Sequence, residues 1–564
     1  MEENKEKKKS KVFRIVLRIS IVLIALVIML FVIKIAPNYT KDEFSDRTNL
    51  IINNNNITRN LKSEIIIEDG VIYLSTDDVK NFFDEYLLVE KENKRVITTS
   101  NTKTVVIPLS GKSIYVSGKN VEIAHEIIER EEKIYMPMTD LIGIYNIDIK
   151  YSENTDVVTI DSLNRKCVTA KATKNTEIKY KATIFSKNVD KVQAGDTLIL
   201  IQDKEGKNVI VEDYIQVRTS NGKIGYIKRN KIEEETIVRT AEELKTNIDG
   251  KVSLVWDYYS QYVTAPNRTG EIEGINVVSP SFYEISSSGD LHSNIGIEGQ
   301  RYINWAHANG YKVWPMVSNS ELGDLDAMSK ILSKFETRAY LIENIVKELV
   351  NAKVDGVNID FENMYKADKD NYSRFLIELA PRLKENGLTL SVDVTAPDGS
   401  ETWSLCFDRN VIGNVADYII FMAYDQNGVS STKAGTVAGA DWGELNIKKF
   451  LGQEGVKSEK IILGIPFYTR LWKETDGTLT SSVVNMRSVQ IPEGVEAVWD
   501  ENTKQNYIEY EKDGTTYKMW IEDEESIKAK LDLINEYNLA GAGFWSKDRE
   551  TNTIWSVVAE KLGI

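Results

Sequence analysis

The sequence predicts an α/β protein in which residues 250–564 fold as a (β/α)8 TIM barrel with a small insertion. An α+β repeat domain, a small all-β barrel and an N-terminal transmembrane helix are expected to precede it. Three observations predict this arrangement. Strand-like runs alternate with helix-like stretches from residue 250 onward, as in a parallel sheet. Polar and apolar residues alternate through residues 357–362, and an uncharged apolar run, residues 19–33, follows a basic N-terminus.

Residues 1–36 predict a cytoplasmic basic segment followed by a membrane anchor. The segment 12–36 is long enough to span a bilayer if its flanking Arg and Lys side chains extend to the interface. No Ala-x-Ala pattern follows it, so we expect an uncleaved anchor, with a cleaved signal peptide as the alternative. The basic flank then stays inside, and the protein is a single-pass cell-membrane protein with its bulk outside.

Residues 37–63 are polar and rich in Asn, which predicts a linker. Residues 64–162 contain an internal repeat with an offset of 62, because the pattern at 72–79 returns at 134–141. Each copy reads as strand, short helix and strand, so a duplicated α+β unit is expected. This region resembles the repeat domain of bacterial wall proteins named after the N-terminal domain of copper amine oxidases. The resemblance implies a spacer or binding role, without copper.

Residues 166–235 predict an all-β domain. Asn221-Gly222 lies between two alternating runs, 214–218 and 224–227, and this is a strong signal for a β-hairpin. The segment resembles bacterial SH3-like domains, which often bind wall peptides. A passive small barrel is an equal alternative.

Eight strands are expected in the barrel, with an insertion at about residues 473–518 where Thr and Gly turns interrupt the α/β pattern. They are predicted at 253–256, 275–278, 312–316, 355–362, 388–394, 418–425, 461–468 and 540–545. Active sites of such barrels lie at the C-terminal ends of the strands. That rule selects six residues, namely Asp360, Glu362, Tyr424, Asp425, Tyr468 and Trp545.

The strand that begins Asp355-Gly356-Val357-Asn358-Ile359-Asp360-Phe361-Glu362 resembles the Asp-x-x-Asp-x-Asp-x-Glu signature of glycoside hydrolase family 18. Asn358 stands where chitinases usually carry Asp, a departure expected of the spore-cortex and cell-wall N-acetylglucosaminidase branch. Met422-Ala423-Tyr424-Asp425 and the segment 464–470 resemble two further motifs of the family, and Trp545 closes the last strand. The third strand reads Val317-Ser318-Asn319-Ser320 instead of the Ser-x-Gly-Gly of chitinases, which disfavours chitin as the substrate.

The resemblance implies a substrate-assisted mechanism in which the N-acetyl oxygen of the sugar attacks the anomeric carbon. Glu362 would be the general acid, its pKa raised by an apolar wall and by Asp360. Asp360 would hold the acetamido N–H and stabilise the oxazolinium ion, and Tyr424 would donate to the acetamido oxygen. Asn358 would orient Asp360 by a hydrogen bond, and no metal or cofactor is needed. The other implied roles are support from Asp355 and sugar contacts from Asp425, Tyr468, Arg470 and Trp545.

The expected substrate is a glycan that contains N-acetylglucosamine, with peptidoglycan or spore cortex favoured. The alternatives are a chitinase or chito-oligosaccharide hydrolase, a non-catalytic glycan-binding protein, and an assembly scaffold. The net charge of −15 argues against nucleic acid as a partner. Two distant cysteines, Cys167 and Cys406, predict no disulfide framework, and three scattered histidines predict no metal site.

Overall fold

The computed structural model describes residues 2–35, 47–240, 248–260 and 263–564. The chain divides into two compact units. The first comprises residues 1–98, 106–115 and 120–244, and the second comprises 99–105, 116–119 and 245–564.

The N-terminal helix α1 extends from Glu2 to Ile35. Its segment Lys11–Leu30 has a mean hydropathy of 2.6 and is long and apolar enough to cross a membrane. The predicted apolar helix of membrane-spanning length is therefore present. A signal sequence near an N-terminus has the same length and composition.

The duplicated α+β unit is present as predicted. Strand β4 (Val71–Ser75) leads into helix α2 (Thr76–Phe82), and β11 (Lys133–Pro137) precedes α3 (Ile142–Tyr145). The two copies meet because β4 and β11 pair antiparallel. The remaining strands of this domain are β1 (Asn49–Ile52), β2 (Asn55–Asn56), β3 (Ile66–Glu68), β5 (Leu88–Glu90), β6 (Arg95–Thr99), β7 (Thr104–Pro108), β8 (Ser113–Val116), β9 (Lys119–Glu122), β10 (Ile128–Arg130), β12 (Ile147–Ser152) and β13 (Val157–Ser162).

The predicted linker, residues 37–63, is wrong from residue 49 onward. Strand β1 lies parallel to β13, with Asn49 opposite Val157, and Leu50 is fully buried. The backbone N–H of Leu50 also donates to the Thr58 hydroxyl at 2.9 Å. The Asn-rich composition of the segment concealed a short apolar strand, because three apolar residues carry little weight in an average over 27. Residues 37–46 of the predicted linker lie outside the described residues.

The next domain is all-β, and its hairpin is confirmed. Its strands are β14 (Cys167–Lys171), β15 (Thr176–Lys179), β16 (Asn188–Val192), β17 (Thr197–Leu200), β18 (Ile210–Val211), β19 (Tyr214–Arg218), β20 (Ile224–Lys228) and β21 (Thr236–Arg239). Strands β19 and β20 pair antiparallel, with Arg218 opposite Ile224. Gly222 takes a φ of +77° in the turn, a conformation that glycine adopts without steric cost. The likeness to SH3 domains remains a prediction.

The barrel has the eight parallel strands that the sequence predicts. They are β22 (Val252–Asp257), β23 (Val277–Pro280), a third strand split into β26 (Lys312–Val313) and β27 (Met316–Ser318), β28 (Gly356–Asp360), β29 (Thr389–Val394), β30 (Tyr418–Met422), β31 (Ile461–Pro466) and β37 (Gly541–Trp545). The sheet closes because β22 pairs with both β23 and β37. The third strand is interrupted at Pro315, which has no N–H to donate to a neighbour.

The barrel helices and the small hairpin beside the third strand complete the pattern. The helices are α4 (Gly296–Ala308), α5 (Leu325–Ser333), α6 (Phe335–Ala352), α7 (Lys369–Glu385), α8 (Arg409–Val415), α9 (Ala440–Gly452), α10 (Glu524–Glu536) and α11 (Ile554–Leu562). Strands β24 (Tyr283–Ile285) and β25 (Leu291–Ser293) extend the sheet next to β27.

The barrel interior is filled by large side chains. Trp256, Trp314, Met316 and Ile420 are 0–2% exposed and belong to one apolar cluster. A second, larger cluster packs the outer faces of the strands against the helices. The interior is therefore a packed core, which leaves the C-terminal ends of the strands as the place for a site.

The predicted insertion is an antiparallel sheet that is wider than the interval 473–518. Its strands are β32 (Tyr468–Thr475), β33 (Thr478–Asn485), β34 (Val498–Asp500), β35 (Gln505–Lys512) and β36 (Thr515–Ile521). The insertion therefore begins at Tyr468, which we expected at the end of the seventh barrel strand. The apolar run continues from β31 across Phe467 into β32, so the pattern gives no sign of the change of sheet.

Candidate active site

A row of polar residues on β28 forms the base of the site. Asn358 and Asp360 lie on this strand, and Glu362 follows two residues after Asp360. Val357, Ile359 and Phe361 alternate with them and are fully buried. The predicted alternation is confirmed, because one face of the strand packs against the helices and the other carries the polar row.

Asn358 is fully buried and makes four hydrogen bonds with neighbouring strands. Its Oδ1 accepts from Trp256 Nε1 at 2.8 Å and from the Ser279 hydroxyl at 3.4 Å. Its Nδ2 donates to Asp393 Oδ1 at 2.7 Å and to Ser391 Oγ at 3.3 Å. The expectation that Asn358 orients Asp360 by a hydrogen bond is therefore wrong, since the amide has no donor or acceptor left for it.

The carboxyl groups of Asp360 and Glu362 hydrogen-bond to each other. Two carboxyl groups can do so only if one of them carries a proton. Burial raises the pKa of Asp360 well above its ordinary value, and the charges of Glu362 and Asp393 raise it further. Its Oδ1 is buried and has no partner among the residues that the structure describes.

The pKa of Glu362 is also raised, chiefly by burial. The charge of Asp425 raises it further, whereas the hydrogen bond with Asp360 lowers it. The pKa of Glu362 is therefore raised, as predicted, but Asp360 lowers this pKa, whereas we expected Asp360 to raise it. The reason is that a hydrogen bond donated to a carboxylate stabilises its charged form.

The backbone of Glu362 is held by a residue that sequence analysis did not select as a site residue. The Asn319 amide donates from Nδ2 to the Glu362 carbonyl oxygen at 2.9 Å. Its Oδ1 accepts from the Glu362 N–H, also at 2.9 Å. Asn319 lies in the third-strand segment that departs from Ser-x-Gly-Gly, and this departure was the available signal.

Tyr424 and Asp425 follow the sixth strand. The Tyr424 ring lies 6.4 Å from the rings of both Tyr468 and Trp545. Burial raises the pKa of Tyr424 well above its ordinary value, so the hydroxyl keeps its proton at neutral pH. Asp425 has a left-handed φ of 56°, and its Oδ1 accepts from the Tyr468 hydroxyl at 2.8 Å.

Arg470 and Asp355 differ in how they relate to this group. Arg470 lies on β32 two residues beyond Tyr468, and its Nη1 donates to Ser481 Oγ at 3.2 Å. Asp355 precedes β28 at the opposite end of the strand, about 16 Å from Asp360 by strand geometry. There it accepts from Lys312 Nζ at 3.0 Å and contacts His307 Nε2 at 2.8 Å. The charge of Arg470 acts on the Tyr468 hydroxyl, so Arg470 lies near this group, whereas Asp355 does not.

The row formed by Asn358, Asp360 and Glu362, called the acid row below, opens into a cleft of about 410 Å³. Aromatic side chains line it, and two of them, Tyr258 and Trp403, are 50% and 45% exposed. Neither belongs to a sequence pattern that would have selected it. Beside the cleft, burial raises the pKa of Glu284 to about 7, and its carboxylate accepts from Ser320 Oγ at 3.3 Å.

Comparisons with known protein families match two regions of the chain. The model described as Glycosyl hydrolases family 18 matches residues 255–550. The model described as Copper amine oxidase N-terminal domain matches residues 51–160. Among the residues that the structure describes, no three His, Cys, Asp or Glu side chains are grouped to hold a metal ion.

The chain is also similar to individual bacterial proteins. It is 23% identical over 295 residues to the "Uncharacterized glycosylase YvbX" of Bacillus subtilis, covering 50% of this chain and 84% of that protein. It is 24% identical over 250 residues to the "Cortical fragment-lytic enzyme" of the same organism, covering 42% of this chain and 57% of that one. The spore cortex-lytic enzyme SleL of Bacillus megaterium is a solved structure with 20% identity and a TM-score of 0.45, covering 58% of this chain and 77% of that chain.

Proposed function

The chain belongs to glycosyl hydrolases family 18, and on this premise we propose a membrane-anchored glycosidase that cleaves β-1,4 linkages of N-acetylglucosamine. The proposed substrate is peptidoglycan or spore cortex, and the proposed mechanism is retaining and substrate-assisted. The observation that carries the mechanism is the hydrogen bond between the Asp360 and Glu362 carboxyl groups.

Retaining enzymes with a protein nucleophile hold their two carboxyl groups about 5 Å apart, on opposite sides of the anomeric carbon. Asp360 and Glu362 lie two residues apart on one strand face and contact each other. A sugar ring cannot fit between them. One carboxyl group can protonate the leaving oxygen, but the other cannot attack the anomeric carbon from the opposite face. The acetamido oxygen of the substrate is then the available nucleophile.

The other groups fit that chemistry. Glu362, with its raised pKa, can take up the proton that it shares with Asp360 and give it to the leaving oxygen. Asp360 has a buried oxygen that lacks a partner, and the acetamido N–H is a donor of the kind it needs. The protonated Tyr424 hydroxyl can donate to the acetamido oxygen, and Trp545 offers a ring for stacking against the sugar.

The remaining parts of the proposal have separate support. Helix α1 has the length and composition of a membrane anchor, and its basic end favours a cytoplasmic N-terminus. The matched relative that is named a cortical fragment-lytic enzyme supports cortex or wall glycan as the substrate. Retention of Glu362, Asp360 and Tyr424 together favours an enzyme over a glycan-binding protein.

The experiment that tests the proposal uses the full chain in detergent. It is incubated with muropeptide glycan strands, with chitin oligomers, and with matched strands whose glucosamine lacks the N-acetyl group. Mass spectrometry should show new reducing ends at N-acetylglucosamine in the first substrate, and none at deacetylated residues. Equal cleavage of acetylated and deacetylated strands would contradict the substrate-assisted mechanism. No cleavage of any acetylated glycan would contradict the enzymatic function.

A further inference from the structure

Asp393 is a buried carboxyl group for which the mechanism above has no role. It lies on β29, the strand next to the acid row, and its side chain is 1% exposed. Asn358 pairs with Ser391 in the register of β28 and β29, so Asp393 lies at the level of Asp360. A buried carboxyl group is costly for folding, and its presence beside the site needs an explanation.

The acid row of β28 lacks one carboxyl group compared with the signature that it resembles. Asn358 occupies the second acidic position, and its amide donates to Asp393 Oδ1 at 2.7 Å. A carboxyl group is present one strand away, and it accepts a hydrogen bond from the amide that stands at this position.

We propose that Asn358 and Asp393 form one exchangeable pair, in which Asp393 is the positioning residue that controls the proton shared by Asp360 and Glu362. The catalytic part of this inference rests on the proposed function. The charge of Asp393 raises the pKa of Asp360, and Asp393 and Glu362 interact in the same way. Burial raises the pKa of Asp393 as well, so this group ionises only as pH rises. Once ionised, it opposes the loss of the proton that Asp360 and Glu362 share, and Glu362 needs that proton as a general acid.

The hydrogen bonds of the pair make the exchange chemically possible. In the double variant Asn358→Asp/Asp393→Asn, the new amide at 393 can donate to the new carboxylate at 358. Trp256 Nε1 and the Ser279 hydroxyl are donors and serve a carboxylate as well as an amide oxygen. The Ser391 hydroxyl now accepts from Asn358 and donates to the Val357 carbonyl oxygen at 3.1 Å, so it can donate to the new carboxylate only by giving up that second bond.

The single variants do not keep one amide paired with one carboxylate. Asp393→Asn keeps the shape and an acceptor for Asn358 but removes the ionisable group. Asn358→Asp places two carboxyl groups at the 2.7 Å contact, where they must share a proton. Other titratable groups that act on this cluster come from several elements, and they are Glu284 on β24, Tyr372 on α7, and Tyr424 and Asp425 after β30.

The test compares the wild type, both single variants and the double variant in detergent. Hydrolysis of an N-acetylglucosamine oligosaccharide is followed as a function of pH. Each single variant should lower kcat by about tenfold or more, the scale of a lost contribution to proton transfer. In Asp393→Asn the basic limb, the fall of kcat/KM at high pH, should move to lower pH by about one unit, because the variant cannot acquire the negative charge that Asp393 gains as pH rises. The double variant should recover most of the lost kcat and the wild-type limb.

A double variant no better than the worse single variant would overturn the inference. Asp417→Asn is a matched control, since Asp417 accepts from the Leu390 N–H at the other end of the strands. It should leave the basic limb unchanged. If it moves the limb as far as Asp393→Asn does, the effect is not specific to the pair and the inference fails.

A readout without catalysis separates this inference from the proposed function. Burial raises the pKa of Asp393 in the folded protein, so this group stabilises the fold at low pH and the contribution is lost as pH rises. Unfolding followed between pH 4 and 9 should show a smaller loss of stability for Asp393→Asn than for the wild type. The double variant should restore the wild-type slope. Identical slopes for all four proteins would overturn the inference, even if the wild type hydrolyses glycans.

Discussion

At the scale of single residues, Glu362 is held in place through both its backbone and its side chain. Asn319 holds its N–H and carbonyl, and Asp360 bonds its carboxyl group. A general acid fixed in this way loses little conformational freedom when the substrate binds, which favours proton transfer.

Glu362→Gln should nearly abolish turnover and leave glycan binding intact. The amide keeps the shape of the side chain but cannot give a proton to the leaving oxygen. We expect kcat to fall by about a hundredfold or more, with an unchanged Kd for N-acetylglucosamine oligosaccharides by calorimetry. Glu401→Gln, at a side chain that is 73% exposed, is the control and should leave both quantities at wild-type values. Substantial turnover by Glu362→Gln would assign the acid role elsewhere.

Asn319→Ala should lower kcat without changing the ionisation of the site. The variant removes both hydrogen bonds to the Glu362 backbone and leaves every carboxyl group in place. We expect a fall of about tenfold in kcat, a smaller change in KM, and a basic limb at the wild-type pH. A rise in KM with kcat unchanged would mean that Asn319 contacts substrate and does not position Glu362.

The pH profile should have its basic limb above the range of an ordinary glutamate. Glu362 must be protonated to act, and burial raises its pKa, so activity persists to a higher pH and is lost as pH rises through the raised pKa. A profile of kcat/KM against pH measures this directly. A basic limb in the ordinary range, near 4.5, would show that the acid is not held in the environment described.

At the scale of the elements, the sequence predicted the features that follow from a repeating pattern of apolar and polar side chains. It did not predict those that depend on contacts between different strands. The alternation on β28 and the run of eight strands follow from side-chain spacing alone. The partners of Asn358 come from β22, β23 and β29, so no local pattern could indicate that its amide bonds to these strands and not to Asp360. The inward amide of Asn319 was missed for the same reason.

Strand β1 shows the same effect in the first unit, since its partner β13 is about a hundred residues away in sequence. Leu50→Ala should destabilise the repeat domain by about 2–4 kcal/mol, because it leaves a cavity at a fully buried position. Leu88→Ala is the matched control at a side chain that is 36% exposed, and a smaller loss is expected. Denaturant unfolding measures both. Equal effects would mean that β1 is not part of the folded domain in solution.

At the scale of the whole molecule, the proposal places all the catalytic groups in residues 250–564 and the membrane segment at the other end of the chain. In a single-pass arrangement, protease added to intact cells should remove the barrel, and an epitope before residue 10 should stay protected. Complete protection of the barrel from the protease would contradict the proposed orientation, in which the barrel lies outside the cell. A mature protein that starts near residue 37 would instead identify α1 as a cleaved signal.

The place of β1 also limits how far an anchored enzyme can work from the membrane. Only residues 36–48 separate the end of α1 from the first strand of the repeat domain. Thirteen residues reach at most about 45 Å, whatever conformation they take. The distance that the barrel can reach from the membrane then depends on the folded domains and not on a long flexible linker after α1. Such an enzyme would work on the glycan layer nearest its own membrane, and lengthening this segment would be the way to let it reach strands farther out.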